Sequence, residues 1–319
     1  RCMELRNLGR YALVRRLEGS PSRSELFVAS HEDEGGAERY VAKLLMPGSE
    51  ETRATREACF EHEIRILGAV NHPCIPTLHE HGRHTGMPYM IMDRVDGVDL
   101  ATLLGHHTDE PRALSKELVV YLMGQVVDAL AHVHRIAQLE DDGSETDCQI
   151  LHRDLCPANI YLSVDGDVML GDWGSSISIW LDPEHNTPGA GHTAYKAPER
   201  VTGSGQATVQ SELFALAVIM WEMLKGQRCF WAENELKTMD AIVRFDISNS
   251  KTRVTGLSSK LSEVVRKNLD RDPTRRYESA FRILQRLAQS PEAQAAEQSR
   301  LELGNLVRAA KAARDGNAS

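Results

Sequence analysis

Between Tyr11 and Leu45 the chain alternates apolar with polar positions and favours β-branched and aromatic residues, the period of a half-buried strand. A turn near Gly19 and an acidic turn from Glu32 to Gly36 divide this stretch, which predicts three antiparallel strands. From Glu51 to Ala69 the apolar residues Phe60, Ile64 and Leu67 recur among good helix formers, until Gly68 and Asn71-His72-Pro73 stop the run. Leu78 and the segment Met90 to Met92 supply two further strands, and Asp96-Gly97 is a turn that closes the first half. Beyond it the period becomes helical: Lys116 to Ile136 and Val209 to Leu224 predict long helices, Leu261 to Leu269 and Ser279 to Leu287 shorter ones. The pattern is α+β: a small β-rich lobe with one helix at residues 8–95, then a larger, mainly helical lobe at residues 96–290.

Two stretches read as exposed loops, His106 to Arg112 and Leu139 to Gln149. The second carries enough like charge to stay solvated. After Pro291 the chain is rich in Ala, Glu, Gln and Arg, with Leu301, Leu303 and Leu306 at mixed spacing. Residues 291–319 therefore predict a C-terminal helical tail or the start of a downstream repeat.

Composition narrows the function. With 319 residues, 41% of them hydrophobic, the chain can bury a real core, and its formal charge of -9 argues against a general nucleic-acid binder. Cys2, Cys59, Cys74, Cys148, Cys156 and Cys229 lack the paired spacing of a zinc site or disulfide framework, which points to a reducing, cytoplasmic setting. The longest apolar run, Leu213 to Trp221, is too short to span a bilayer and is flanked by Glu212 and Glu222, so it reads as a core helix. No signal peptide is visible, and an initial Arg rather than Met leads one to expect an excised or tagged piece of something longer.

The chemistry concentrates in His152-Arg153-Asp154-Leu155-Cys156-Pro157-Ala158-Asn159, which puts an aspartate and an asparagine on one short loop. Upstream, Val41-Ala42-Lys43 ends the third predicted strand. Downstream, Asp172-Trp173-Gly174 follows a hairpin-like segment, and Gly191 to Glu199 ends in Ala-Pro-Glu. In this order the motifs resemble the eukaryotic-type Ser/Thr protein kinases, in a divergent or bacterial-type form, across about residues 8–290.

The resemblance implies a bilobal kinase-like fold, ATP and Mg2+ as cosubstrate and cofactor, and a protein substrate, with room for a regulatory partner. It implies that Lys43 contacts nucleotide phosphates and pairs with Glu63, with Glu57 and Glu61 as alternatives, and that Asp154 accepts the acceptor hydroxyl's proton. Asn159 and Asp172 would hold metal. Met92 would be the gatekeeper, with Asp93 and Val95 offering backbone groups to adenine and Asp99 near the ribose. Val41 and Tyr161 would form the ceiling and floor of the adenine slot, and Gly19 would belong to the phosphate-covering loop. Glu199 would pair with Arg276, while Tyr195 and Pro157 favour the Ser/Thr class. Arg153 would pair with a phosphate on the activation segment, where Ser175, Ser176, Ser178, Thr187 and Thr193 carry hydroxyls.

The departures from the family pattern cluster. The loop from Leu17 to Leu26 has a single glycine, Glu18 adds negative charge, Pro21 removes an amide donor and Arg23 offers partial compensation. Val41 and Tyr161 are larger than the usual residues. Cys156 replaces a lysine, His192 a threonine that bonds the catalytic aspartate, and Glu212 an aspartate that anchors the catalytic loop. These changes support an alternative reading, a pseudokinase that binds or scaffolds with weak or no transfer. Cys156 reads as a structural substitution or as a reactive thiol, and the cluster His79, His81 and His84 as strand alternation plus a turn rather than a metal site.

Overall fold

The structure is a computed structural model that describes residues 7–17, 24–106, 108, 111–186, 189–247, 249 and 254–317. Its first half builds a sheet from β1 (Asn7–Leu8), β2 (Tyr11–Arg16), β3 (Ser24–His31) and β4 (Tyr40–Leu45), crossed by helix α1 (Glu50–Ala69) and completed by β5 (Leu78–His84) and β6 (Met87–Asp93). The strand order is β1-β2-β3-β4-β6-β5, with every neighbouring pair antiparallel. Alternation along β4 decides what reaches the cleft. Tyr40, Ala42 and Leu44 join Leu8, Tyr11, Tyr89 and Ile91 in a small separate core. Leu45 instead joins the main core together with Phe60, Ile66 and Leu67 of α1, so Lys43, two residues earlier, shares the face turned towards that helix.

The chain then passes through β7 (Gly97–Asp99) and the short α2 (Leu100–Leu103) into α3 (Lys116–Val133), whose first turn is capped by Ser115 accepting from the Leu118 amide. The acidic stretch expected to be a loop is a small hairpin, β8 (Ala137–Leu139) paired with β9 (Glu145–Asp147). Asp142 makes its turn by accepting from the Ser144 amide at 2.9 Å, and Gln138 ties it to the body by accepting from Trp180 Nε1 at 2.8 Å. Each strand has three residues and is largely solvated, too short for alternation to announce it.

Next come the paired strands β10 (Ile160–Ser163) and β11 (Val168–Leu170), the short α4 (Pro198–Val201), and α5 (Val209–Lys225), buried on all sides from Ser211 to Met223. A capping box between Thr208 and Ser211 starts α5, and Gly226 in the left-handed region ends it. α6 (Glu235–Arg244), α7 (Ser259–Asn268) and α8 (Ala280–Ala288) pack around this axis. The last helix, α9 (Ala296–Asn317), lies against α3, β7 and β10. Leu303 and Val307 sink into the main core, Lys311 bonds Asp96 at 2.5 Å, and Arg300 bonds Asp167 at 2.7 Å. The chain thus folds into two lobes, a β-sheet lobe with one helix and a larger, mainly helical lobe.

Candidate active site

Lys43 and Glu63 meet between the sheet and α1. The ammonium donates to both carboxylate oxygens, at 2.7 and 2.8 Å, and to Asp172 Oδ1 at 3.3 Å. Burial alone would discharge Lys43, yet the adjacent Glu63 and Asp172 carboxylates overcome it and hold the amine as ammonium, its pKa raised. Asp172 is correspondingly lowered, chiefly by the Lys43 charge. The alternatives to Glu63 lie elsewhere: Glu57 and Glu61 both accept from exposed Arg83.

The catalytic loop is held from below and behind. Glu212 of α5 accepts the Arg153 amide at 2.7 Å and binds His134 Nε2 at 2.7 Å, so the longer carboxylate still anchors the loop. Its pKa is lowered because these hydrogen bonds outweigh the cost of burial. His152 reaches Gly171 O at 3.0 Å and packs edge-on against Trp173, linking the loop to the Asp172 segment. Trp173 is buried and donates Nε1–H to Leu170 O at 3.2 Å, which fixes the ring beneath α1. Arg153 and Asp172 both take positive φ, 67° and 55°, a conformation that side-chain-bearing residues adopt at a cost and that surrounding contacts here enforce. Asn159 donates Nδ2–H to Asp154 O at 2.8 Å, which leaves its amide oxygen available. Asn159 and Asp172 thus present oxygen donors, the type that Mg2+ selects.

On the acceptor side, Asp154 Oδ1 takes the His192 amide at 2.9 Å and lies 2.7 Å from His192 Nδ1. Gly191 makes the approach possible, since a Cβ there would stand 2.4 Å from Arg153 O and its φ is +95°. The bond to Asp154 raises the pKa of His192 to about 11, so the ring is an imidazolium at neutral pH. Burial would raise Asp154, but the bond and charge of His192 bring its carboxyl below the ordinary value. Cys156 Sγ stands 3.4 Å from the same ring nitrogen, and burial pushes its thiol up. Sequence reasoning found His192 as a substitution for a threonine. That one ring nitrogen would face both Asp154 and Cys156 was not visible, because 36 residues separate the thiol from the ring.

Around the nucleotide cleft, Val41 pairs with Met92 across β4 and β6. Tyr161 pairs with Asp99 and Met169, and its ring lies over Gly171, where a Cβ would come within 2.7 Å of Tyr161 Cε2. Asp93 turns its carboxylate to the Thr77 amide at 2.9 Å and His79 at 2.7 Å, and its own amide donates to Thr77 O at 3.2 Å, so its carboxylate and N–H are both engaged with neighbours. Asp99 caps α2 through the Thr102 amide and hydroxyl, at 2.8 and 2.9 Å. Val95 lines a cavity of about 270 Å³ behind the lobe connection, with Arg94, Asp96, Val164 and Asp167. Gly19, with Glu18, Pro21 and Arg23, lies outside the described residues, as does Thr187.

The activation segment is tied down at both ends. Glu199 and Arg276 form a bidentate pair at 2.7 and 2.9 Å, and the Arg276 side chain is 0% exposed. Near the start of the segment Ser178 bonds His62 of α1 at 2.8 Å, and Arg153 donates to Asn186 at 2.5 Å. Tyr195 donates to buried Glu222 at 2.8 Å, and Thr193 to Glu235 at 2.6 Å. The His62 and Glu222 contacts had no signal in the sequence. Each joins residues far apart in the chain through a single polar group.

A bilobal fold with a lysine–glutamate pair above an Asp and Asn loop defines a phosphotransferase architecture. The chain matches the protein kinase domain over residues 22–287, and it belongs to the protein kinase family. It is 26% identical over 222 residues to the serine/threonine-protein kinase PrkC of Bacillus subtilis, covering 69% of this chain and 32% of that protein. It is 28% identical over 228 residues to the serine/threonine-protein kinase PknB of Mycobacterium tuberculosis, covering 69% and 34%. It is also 27% identical over 279 residues to the tyrosine-protein kinase MasK of Myxococcus xanthus, covering 86% and 42%. The chain therefore spans about a third of the length of the first two relatives. Among the described residues, no helix is long and apolar enough to cross a membrane.

Proposed function

We propose that this chain is the catalytic part of a Ser/Thr protein kinase, which moves the γ-phosphate of ATP to a protein hydroxyl with Mg2+. The observation that carries the reading is the buried contact of Lys43 with Glu63 and Asp172, above a loop that keeps Asp154 and Asn159. In this reading Glu63 orients Lys43, and Lys43 offsets charge on the nucleotide phosphates. Asn159 and Asp172 would hold Mg2+, which when bound neutralises charge on the phosphoryl oxygens. Asp154 orients the acceptor hydroxyl and takes its proton. Met92, Asp93, Val95, Val41, Tyr161, Asp99 and Gly19 form the nucleotide cleft of this reading, with the lobes divided at residues 8–95 and 96–290 and the helical tail at 291–319. A cytoplasmic role in signalling is part of the same reading, supported by cysteine spacing that fits no disulfide framework.

A second reading, a pseudokinase, is favoured by the Tyr161 ring over Gly171 and by the imidazolium that occupies Asp154. Incubation with γ-labelled ATP, Mg2+ and a protein substrate, beside an Asp154→Asn variant, separates the two. The kinase reading expects label on Ser or Thr that the variant loses. Label on Tyr would move the chain to the other acceptor class. No label, and no Mg2+-dependent thermal shift with ATP, would sink the enzyme reading.

A further inference from the structure

Beside Asp154 on the acceptor side stand two donor groups, Cys156 and His192, that phosphoryl transfer does not require. Asp154 Oδ1, Cys156 Sγ and His192 Nδ1 converge so that all their ligand atoms lie within 4.8 Å of one another. The ring nitrogen is 2.7 Å from the oxygen and 3.4 Å from the sulfur. Nδ1 can carry one proton, so these three atoms crowd a position that a single small cation can occupy. In a tetrahedral zinc site, metal bonds of about 2.0 Å to N and O and about 2.3 Å to S put the donors roughly 3.3–3.6 Å apart. The N···S distance already has that value, and the N···O distance needs to open by about 0.6 Å, within reach of side-chain rotation.

We propose that Asp154, Cys156 and His192 bind Zn2+ or a similar borderline transition ion, which takes Asp154 away from the acceptor hydroxyl and inhibits transfer. The ion replaces the proton on His192 Nδ1 and the thiol proton of Cys156, and both protons pass to solvent. Three protein ligands leave the fourth position to water. The His192 side chain is 57% exposed, which gives the ion a path from the cleft to the buried sulfur. Selectivity follows from the donors: sulfur and imidazole suit zinc, whereas Mg2+ demands oxygen and stays with Asn159 and Asp172. The two sites are thus chemically distinct although they share one loop. Both unusual residues, Cys156 and His192, gain a joint role in this assignment, which neither has alone.

The inhibitory consequence rests on the kinase reading, but the ion site does not. The test is therefore binding first: calorimetric titration of the nucleotide-free chain with Zn2+ in excess Mg2+, and with Co2+ as a spectroscopic probe. The wild-type chain is expected to bind one Zn2+ and to show a thiolate-to-cobalt charge-transfer band. Cys156→Ser should abolish that band, and Cys156→Ser and His192→Thr should each weaken Zn2+ binding at least about 10–100-fold, the loss seen when even an outer-shell partner of a metal ligand is removed. His192 is exposed, so its variant keeps the test open if the Cys156 variant folds poorly, which metal-free melting curves would reveal. Equal zinc affinity in wild type and both variants, or an unchanged cobalt band in Cys156→Ser, would overturn the site. In the transfer assay, zinc should inhibit the wild type at concentrations that leave His192→Thr at its own zinc-free rate. Zinc binding without any transferase activity would uphold the site and defeat the kinase reading, whereas transferase activity without zinc binding would do the reverse.

Discussion

The two sides of the catalytic cleft solve the problem of buried charge differently. On the Lys43 side, the ammonium is flanked by Glu63 and Asp172, and the three charges leave a net negative site. On the acceptor side, Asp154 is already matched by an imidazolium, and the position that faces it carries a thiol instead of an amine. The first side takes Lys43 from a strand and Glu63 from a helix, and adds Asp172 from the loop that follows β11. The second is built on two loops brought together by Gly191, and its substitutions come as a pair.

That contrast can be broken by mutation. The largest effect belongs to Asp154→Asn, expected to lower the transfer rate about 10²–10⁴-fold with ATP affinity retained, as measured by turnover and nucleotide titration. Glu199→Ala should strand buried Arg276 and cost about 3–5 kcal/mol of stability, read in denaturant unfolding. Tyr161→Leu should shrink the expected floor of the adenine slot and tighten ATP binding by about 1–3 kcal/mol, the size of an overpacking penalty. Unchanged affinity would mean that the ring already yields.

The smallest effect is a pH dependence. His192 has its pKa raised from 6.5 to about 11 in the fold, so its contribution to stability is complete below about pH 6.5 and fades as pH rises towards 11. The melting advantage of the wild type over His192→Thr should therefore shrink between pH 7 and 10. A constant difference would show that the ring acts by packing rather than by charge. Because the ring is more than half exposed, solvent screening keeps the effect modest.

Much of this was legible in the chain. Alternation from Tyr11 to Leu45 foretold the strands that carry Lys43, and the family resemblance preferred Glu63 over Glu57 and Glu61, the carboxylate that Lys43 contacts. The β8–β9 hairpin was missed because each strand has three residues and its apolar side chains, Ala137 and Leu139, are exposed. The docking of α9 was open because Leu301, Leu303 and Leu306 follow no single helical stripe, and only Leu303 of the three is buried. His134, His62 and Glu222 escaped notice because their partners lie 78, 116 and 27 residues away in the sequence.

The most direct test of the account compares single-turnover transfer from Mg2+-ATP to a Ser-containing protein in wild type, Lys43→Met and Asp154→Asn, at matched nucleotide occupancy. An intact nucleotide side predicts transfer by the wild type, occupancy that only the Lys43 variant needs extra ATP to reach, and a collapse of the chemical step in the Asp154 variant. Equal, background-level label in all three proteins would contradict it and leave the fold as a binding module.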